Sequence, residues 1–383
     1  MAEGGIGVGG NTEVGGDAAP PDAIEGFEDW PAFLRRELPA HRGEPDLAAV
    51  LGLPRRPAEP PAVREEGSRR VGNVDVIALS WDVGFGPRTR ASLLRPAGRS
   101  GTLPGVLGLH CHGGAKWTGA AKLVDDGVPP DDAAPERFPG YGGRAAANDL
   151  ARRGFAVLVH DTFSWGSRRF PLTRPSPKWA PWLAAREAAW AAAGVRVSAA
   201  QRYDAYAQLH EETLAKVAGV LGTTFTGAVV HEDLRALDVL AALPGVDPGR
   251  LGAFGFSGGG GRALLLAALD ERVRAHVVAC MMSTTAALVG THVDTHSWLL
   301  HSPGLARFAD LPDLTALRPL LVQYAVDDEL FPPAGMRAAH ERLQQRHAAT
   351  GTYRGAEHPG GHAFGVAMQD EAWAFLAEHL AAG

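Results

Sequence analysis

The chain has 383 residues, 45% of them hydrophobic and 21% charged, enough to bury one large core or two smaller ones. Its formal net charge of −6 gives no electrostatic support to a nucleic-acid partner. No run approaches the roughly 20 apolar residues of a membrane helix, and the start, MAEGGIGVGGNTEVGG, lacks the charged-then-apolar pattern of a secretion signal.

Residues 1–22 read as a disordered tail, too polar and glycine-rich to offset the entropy of ordering. Residues 23–70 alternate short helical pieces with proline-rich turns, which predicts an arm packed on the main domain. Runs at 74–81 and 89–94 alternate apolar and polar residues around a Gly/Pro turn and predict an antiparallel hairpin. Buried strands are expected at 106–111 and 155–160, with a helix at 143–153 between them. Leu234, Leu237, Leu240 and Leu243 then mark a helix that stops at Pro244-Gly245. Strands at 250–256, 274–281, 320–326 and 352–355 alternate with helices to the end of the chain. This rhythm predicts an α/β fold with a mostly parallel sheet covered by helices on both faces, its core formed by 71–162 and 228–383. Cys111 and Cys280 lie in apolar strand-like runs, so buried free thiols and a reducing cytoplasmic location are expected.

Residues 163–227 interrupt the pattern. They hold Trp165, Trp179, Trp182, Trp190, Tyr203 and Tyr206 with no clear strand. A helical insertion is expected, either built around its own aromatic core or capping the active-site edge of the sheet.

The chemistry centres on Gly255-Phe256-Ser257-Gly258-Gly259, a G-x-S-x-G between an apolar strand and an alanine/leucine helix. Such a turn lifts the serine hydroxyl above the sheet in a strained conformation and aims the Gly258 amide at a substrate oxygen. Serine needs a base, and the base needs an orienting acid. Asp328, four residues before Pro332 and just after a predicted strand, is the expected acid in preference to Asp327. His362, in the loop Pro359-Gly360-Gly361-His362, is the expected base in preference to His358. The second oxyanion donor is expected from the loop His110-Cys111-His112-Gly113-Gly114, from Gly114 or else Gly113, with His112 holding the loop. Trp117, Trp165 and Phe256 are candidates for the substrate pocket. Arg168 and Lys116 could bind a polar group of the substrate, but read more simply as solvated surface charges.

Together these segments resemble the dienelactone-hydrolase and acetyl-xylan-esterase-like branch of the α/β-hydrolase superfamily. The resemblance runs from about Val74 to the C-terminus. It includes His112-Gly113-Gly114, Tyr141-Gly142-Gly143-Arg144, Asp161 with Trp165-Gly166-Ser167-Arg168, the elbow, Asp328 to Pro332, and Gly361-His362. It implies an eight-stranded sheet and hydrolysis of a small ester, sugar acetate or lactone through an acyl-enzyme, without a cofactor. Dienelactone hydrolases use a cysteine nucleophile, whereas this elbow holds serine. A homo-oligomer is left open. Acyl transfer, lactonisation or C–C cleavage by the same triad is the alternative chemistry, and a non-catalytic binding protein the alternative role. A metal enzyme is a third reading, from His292-x-Asp294-x-His296 and His110-x-His112.

Overall fold

A computed structural model describes residues 46–128, 139–289 and 310–380, together with Asp29, Phe33, Leu34 and Arg36. The predicted tail, most of the arm before residue 46 and the histidine cluster at 292–301 lie outside the described residues.

Nine strands form one sheet in the order β1-β2-β3-β5-β4-β6-β7-β8-β9. They are β1 (Arg64–Val71), β2 (Val74–Trp81), β3 (Thr89–Pro96), β4 (Leu103–Leu109), β5 (Ala156–His160), β6 (Val246–Phe256), β7 (Val273–Ala279), β8 (Leu320–Ala325) and β9 (Tyr353–His358). The first three run antiparallel and β3 meets β5 antiparallel; from β5 through β9 every pairing is parallel. The expected count of eight is one short. The additional strand is β1, whose sequence REEGSRRV is almost wholly exposed and shows no apolar alternation. Backbone pairing to β2 makes it a strand, and its charges suit an edge that must not recruit another chain.

The central strands are buried on both faces, as a parallel sheet demands. Leu107, Leu158, Ala253, Val278 and Val322 enter one core. Their neighbours Val106, Val157, Phe254, Val277 and Leu321 enter the other. The helices are α1 (Leu47–Leu51), α2 (Ala146–Arg152), α3 (Ala180–Ala192), α4 (Ala199–Val220), α5 (Phe225–Ala242), α6 (Gly258–Leu269), α7 (Thr285–Val289), α8 (Pro333–Arg346) and α9 (Val366–Leu380). Helices α5, α6 and α8 cover the first face, and α2 and α9 the second. The leucine spacing that predicted α5 is all buried up to Leu240. The helix begins nine residues before Leu234, because Thr224 accepts the Gly227 amide and caps it.

One charged cluster ties these layers together at the ends of β4 and β5. Arg262 of α6 donates to Asp233 of α5, with Nε–Oδ2 at 2.9 Å, and to the His110 carbonyl after β4 at 3.0 Å. Asp233 also receives His160 Nε2, at the end of β5, at 3.0 Å. All three side chains are essentially buried. Removing one partner strands the other charge in a low-dielectric interior, whereas removing both need not. Arg262→Met is therefore expected to lower stability by about 3–5 kcal/mol, read as a fall in the urea midpoint. Arg262→Met with Asp233→Leu should recover a large part of that loss; a double variant as unstable as the single one would contradict this account.

Candidate active site

The strand β6 ends at Phe256, and Ser257 adopts φ +55°, ψ −129°, a positive-φ conformation rare for a non-glycine residue. The surrounding bonds fix it there. Its N–H donates to the Ala279 carbonyl at 2.9 Å, and its carbonyl accepts from Gly261 at 3.1 Å. The residues two positions to either side must be glycine. A Cβ on Gly255 would lie 2.0 Å from the Gly259 carbonyl oxygen, and one on Gly259 2.0 Å from the Leu109 carbonyl oxygen. The Gly258 amide opens α6, in the first turn, where helical N–H groups lack partners within the helix.

Asp328 stands in the turn after β8, and His362 in the loop after β9. Nδ1 of His362 lies 2.7 Å from Asp328 Oδ2, and the Asp328 side chain is fully buried. The second carboxylate oxygen accepts the Leu330 amide at 2.9 Å. Facing a carboxylate, Nδ1 carries the proton and Nε2 is left as the accepting nitrogen. The imidazole packs against Phe256 and Phe331, with ring centroids 4.8 and 5.9 Å away. Phe256 precedes Ser257 directly, so the histidine is seated at the elbow. Asp327, the competing acid, instead joins two loops: its amide donates to the Gly360 carbonyl and its Oδ2 accepts the Gly360 amide. His358, the competing base, is bonded to Glu371 at 2.9 Å. Beneath this pair lies the free, buried Cys280, whose thiol is pushed up to about 12 by burial and the nearby Asp328 carboxylate.

The loop after β4 is densely held. Its Cys111 amide donates to the Tyr141 hydroxyl at 3.1 Å, and the Lys116 and Trp117 amides donate to Asp204 at 2.7 and 2.8 Å. Lys122 sends its ammonium to three loop carbonyls, those of Cys111, His112 and Ala115. Burial lowers the Lys122 ammonium to about 8. His112 holds the loop, as expected: Nε2 meets Glu211 at 2.9 Å, and Nδ1 accepts the Gly114 amide at 3.1 Å. That last bond has a consequence for the expected oxyanion donor. The Gly114 amide is committed to His112, so Gly113 is the one of the two glycines whose amide has no partner among the described residues. Both glycines have positive φ, 64° and 61°, which lets the loop turn back tightly.

Three further expectations change. Trp165 is not exposed to a substrate: it is buried beneath the loop, its indole N–H directed at the His112 carbonyl at 3.3 Å. Trp117 lies elsewhere on the same edge, lining a cavity of about 970 Å³ together with Arg90, Ser92, Asp126 and Arg169. Lys116 and Arg168 are not solvated. Lys116 is buried against Glu211 and Ser164, and Arg168 against Glu232 and the Phe85 carbonyl. His112 is bonded through both ring nitrogens and His110 through Nδ1, and no group of three metal-ligating side chains occurs among the described residues.

Sequence reasoning passed over Tyr141, Lys122, Asp204 and Glu211 as site residues. Tyr141 lies within Tyr141-Gly142-Gly143-Arg144. The two acids of α4 carry no local signal, since they read as the polar face of a helix.

A central strand leading into a strained serine elbow, with acid and histidine loops after β8 and β9, defines an α/β-hydrolase. The sequence model of the dienelactone hydrolase family matches residues 143–374, and the chain belongs to that family. It is an esterase-type hydrolase. A Bacillus subtilis (strain 168) protein named "Putative hydrolase YtaP" is 26% identical over 343 residues, covering 87% of this chain and 97% of that protein. The fold is similar to that of a glucuronoyl esterase from Solibacter usitatus, with TM-score 0.57 at 15% identity over 96% of this chain and 99% of the other. It is also similar to acetyl xylan esterase 1 from Thermoanaerobacterium sp. JW/SL YS485, with TM-score 0.53 at 16% identity over 95% and 96%.

The two neighbouring aspartates separate by role. Asp328→Asn should lower kcat on an ester by about 10⁴-fold, because the amide would hold the wrong histidine tautomer. Asp327→Asn should reduce it only slightly; equal losses in steady-state kinetics would refute the assignment.

Proposed function

We propose that the chain hydrolyses a carboxylic ester through an acyl-enzyme on Ser257, with His362 as general base and Asp328 as its orienting acid. The observation that carries this reading is the 2.7 Å His362–Asp328 bond beside a serine held in a strained elbow. Ser257 Oγ attacks the ester carbonyl carbon while His362 Nε2 takes its proton. Asp328 stabilises the imidazolium that results. The negative charge moving onto the carbonyl oxygen is met by the Gly258 amide at the start of α6 and by the Gly113 amide of the loop, each such donor being worth on the order of 3 kcal/mol. Collapse of the tetrahedral intermediate breaks the C–O bond, and His362 returns the proton to the leaving alcohol. Water, deprotonated by His362, then attacks the acyl carbon; the bond to Ser257 Oγ breaks, Oγ regains the proton from His362, and the acid leaves.

The substrate class this supports is a small acyl ester, a sugar acetate or a lactone. The names of the similar solved structures, an acetyl xylan esterase and a glucuronoyl esterase, favour sugar esters among these. A fluorophosphonate should label the protein at Ser257 and abolish hydrolysis of 4-nitrophenyl acetate. Ser257→Ala should leave the protein folded, block labelling and lower kcat by roughly 10⁴–10⁶-fold. An unlabelled wild-type protein, or an active alanine variant, would remove the proposal.

A further inference from the structure

The insertion helix α4 turns an unusual face toward the oxyanion loop. Asp204, Gln208 and Glu211 fall at i, i+4 and i+7, one stripe along the helix. Each of them bonds the loop. One oxygen of Asp204 takes the Lys116 and Trp117 amides. Gln208 Nε2 approaches the Gly114 carbonyl at 3.4 Å. Glu211, with no solvent exposure, takes His112 Nε2 at 2.9 Å and the Lys116 ammonium. From the opposite side Lys122 collects the three loop carbonyls already named.

Glu211 is the anchor of the stripe. Burial alone would raise its carboxyl, but His112 and Lys116 win and hold it down at about 2. Because its carboxylate accepts from Nε2, the proton of His112 sits on Nε2, and Nδ1 is left to accept the Gly114 N–H. The carboxylate of an insertion helix thus decides which glycine amide of the loop is engaged internally.

We propose that Glu211, supported by Asp204 and Gln208, is a positioning residue that sets the oxyanion loop for transition-state stabilisation. This rests on the serine-esterase reading above. The insertion then works at this point as a fixed buttress: lifting α4 off the loop would unpair buried charges.

The test uses the full-length protein, 4-nitrophenyl acetate as substrate and a fluorophosphonate as probe. Glu211→Gln keeps the volume but weakens the hold on Nε2 of His112. It should lower kcat by about 10- to 100-fold while KM stays within about threefold, since only the transition state uses the loop amide. Glu211→Leu with Lys116→Met removes both buried charges and guards against a folding defect. This double variant should regain the thermal midpoint lost by Glu211→Gln but not its kcat. If the double variant recovers both stability and kcat, or if Glu211→Gln turns over like wild type, the positioning role is wrong. A wild-type protein that resists the fluorophosphonate would instead defeat the esterase reading, whatever the Glu211 variants do.

Discussion

The close approach of α6 to the end of β4 is the constraint on which the rest of the site depends. Gly259 lies so near the Leu109 carbonyl that even a methyl group would collide with it. The contact sets the elbow beside the loop that follows β4. One turn along the same helix, Arg262 reaches the His110 carbonyl, so a steric contact and a charged bond fix a single register. Glycine costs a helix about 1 kcal/mol relative to alanine, and α6 opens with four of them. That cost accompanies what the contact allows: the Ser257 elbow and the loop after β4 meet backbone against backbone, with the Arg262 side chain as a further tie.

Around this contact the protein buries several charge pairs. Arg262–Asp233, Arg168–Glu232 and Lys116–Glu211 are all almost wholly sequestered from water. Such pairs contribute little net stability against well-packed apolar replacements. Their effect here is geometric, since each joins a loop or helix at the catalytic edge to one of the adjacent helices α4 and α5. Directional bonds to fixed carbonyls and amides specify loop positions that apolar contacts, which lack direction, would leave loose.

This division explains what could be read in the sequence. Ser257, Asp328 and His362 each sit in a short turn between regular elements, so local patterns single them out, and the structure bonds His362 to Asp328. Strand β1 is not legible in sequence because REEGSRRV carries its pairing in the backbone and its side chains are mostly charged and exposed. The contacts of α4 with the loop are hidden for a related reason. Asp204, Gln208 and Glu211 form a polar helical stripe, and periodicity cannot tell whether such a stripe meets water or the amides of a distant loop. Lys116 and Arg168 read as solvated because a lone charge in a loop gives no sign of a distant partner. Trp165 fits a pocket or the core equally well by sequence, and its burial under the His112 carbonyl is decided by a contact 53 residues away.

The insertion itself is not mechanically uniform. Helix α4 buries Tyr206, Glu211 and Leu214 and is bonded to the catalytic edge through its polar stripe. Helix α3 buries no residue, and its Trp182 is 68% exposed. Opening free energy follows buried contacts and protected bonds, so displacing α3 costs far less than displacing α4. The bonds of Asp204, Gln208 and Glu211 hold α4 against the loop after β4, whereas α3 has no comparable buried anchor among the described residues. Within one segment of the chain, a firmly bonded helix thus lies next in sequence to one held by few buried contacts.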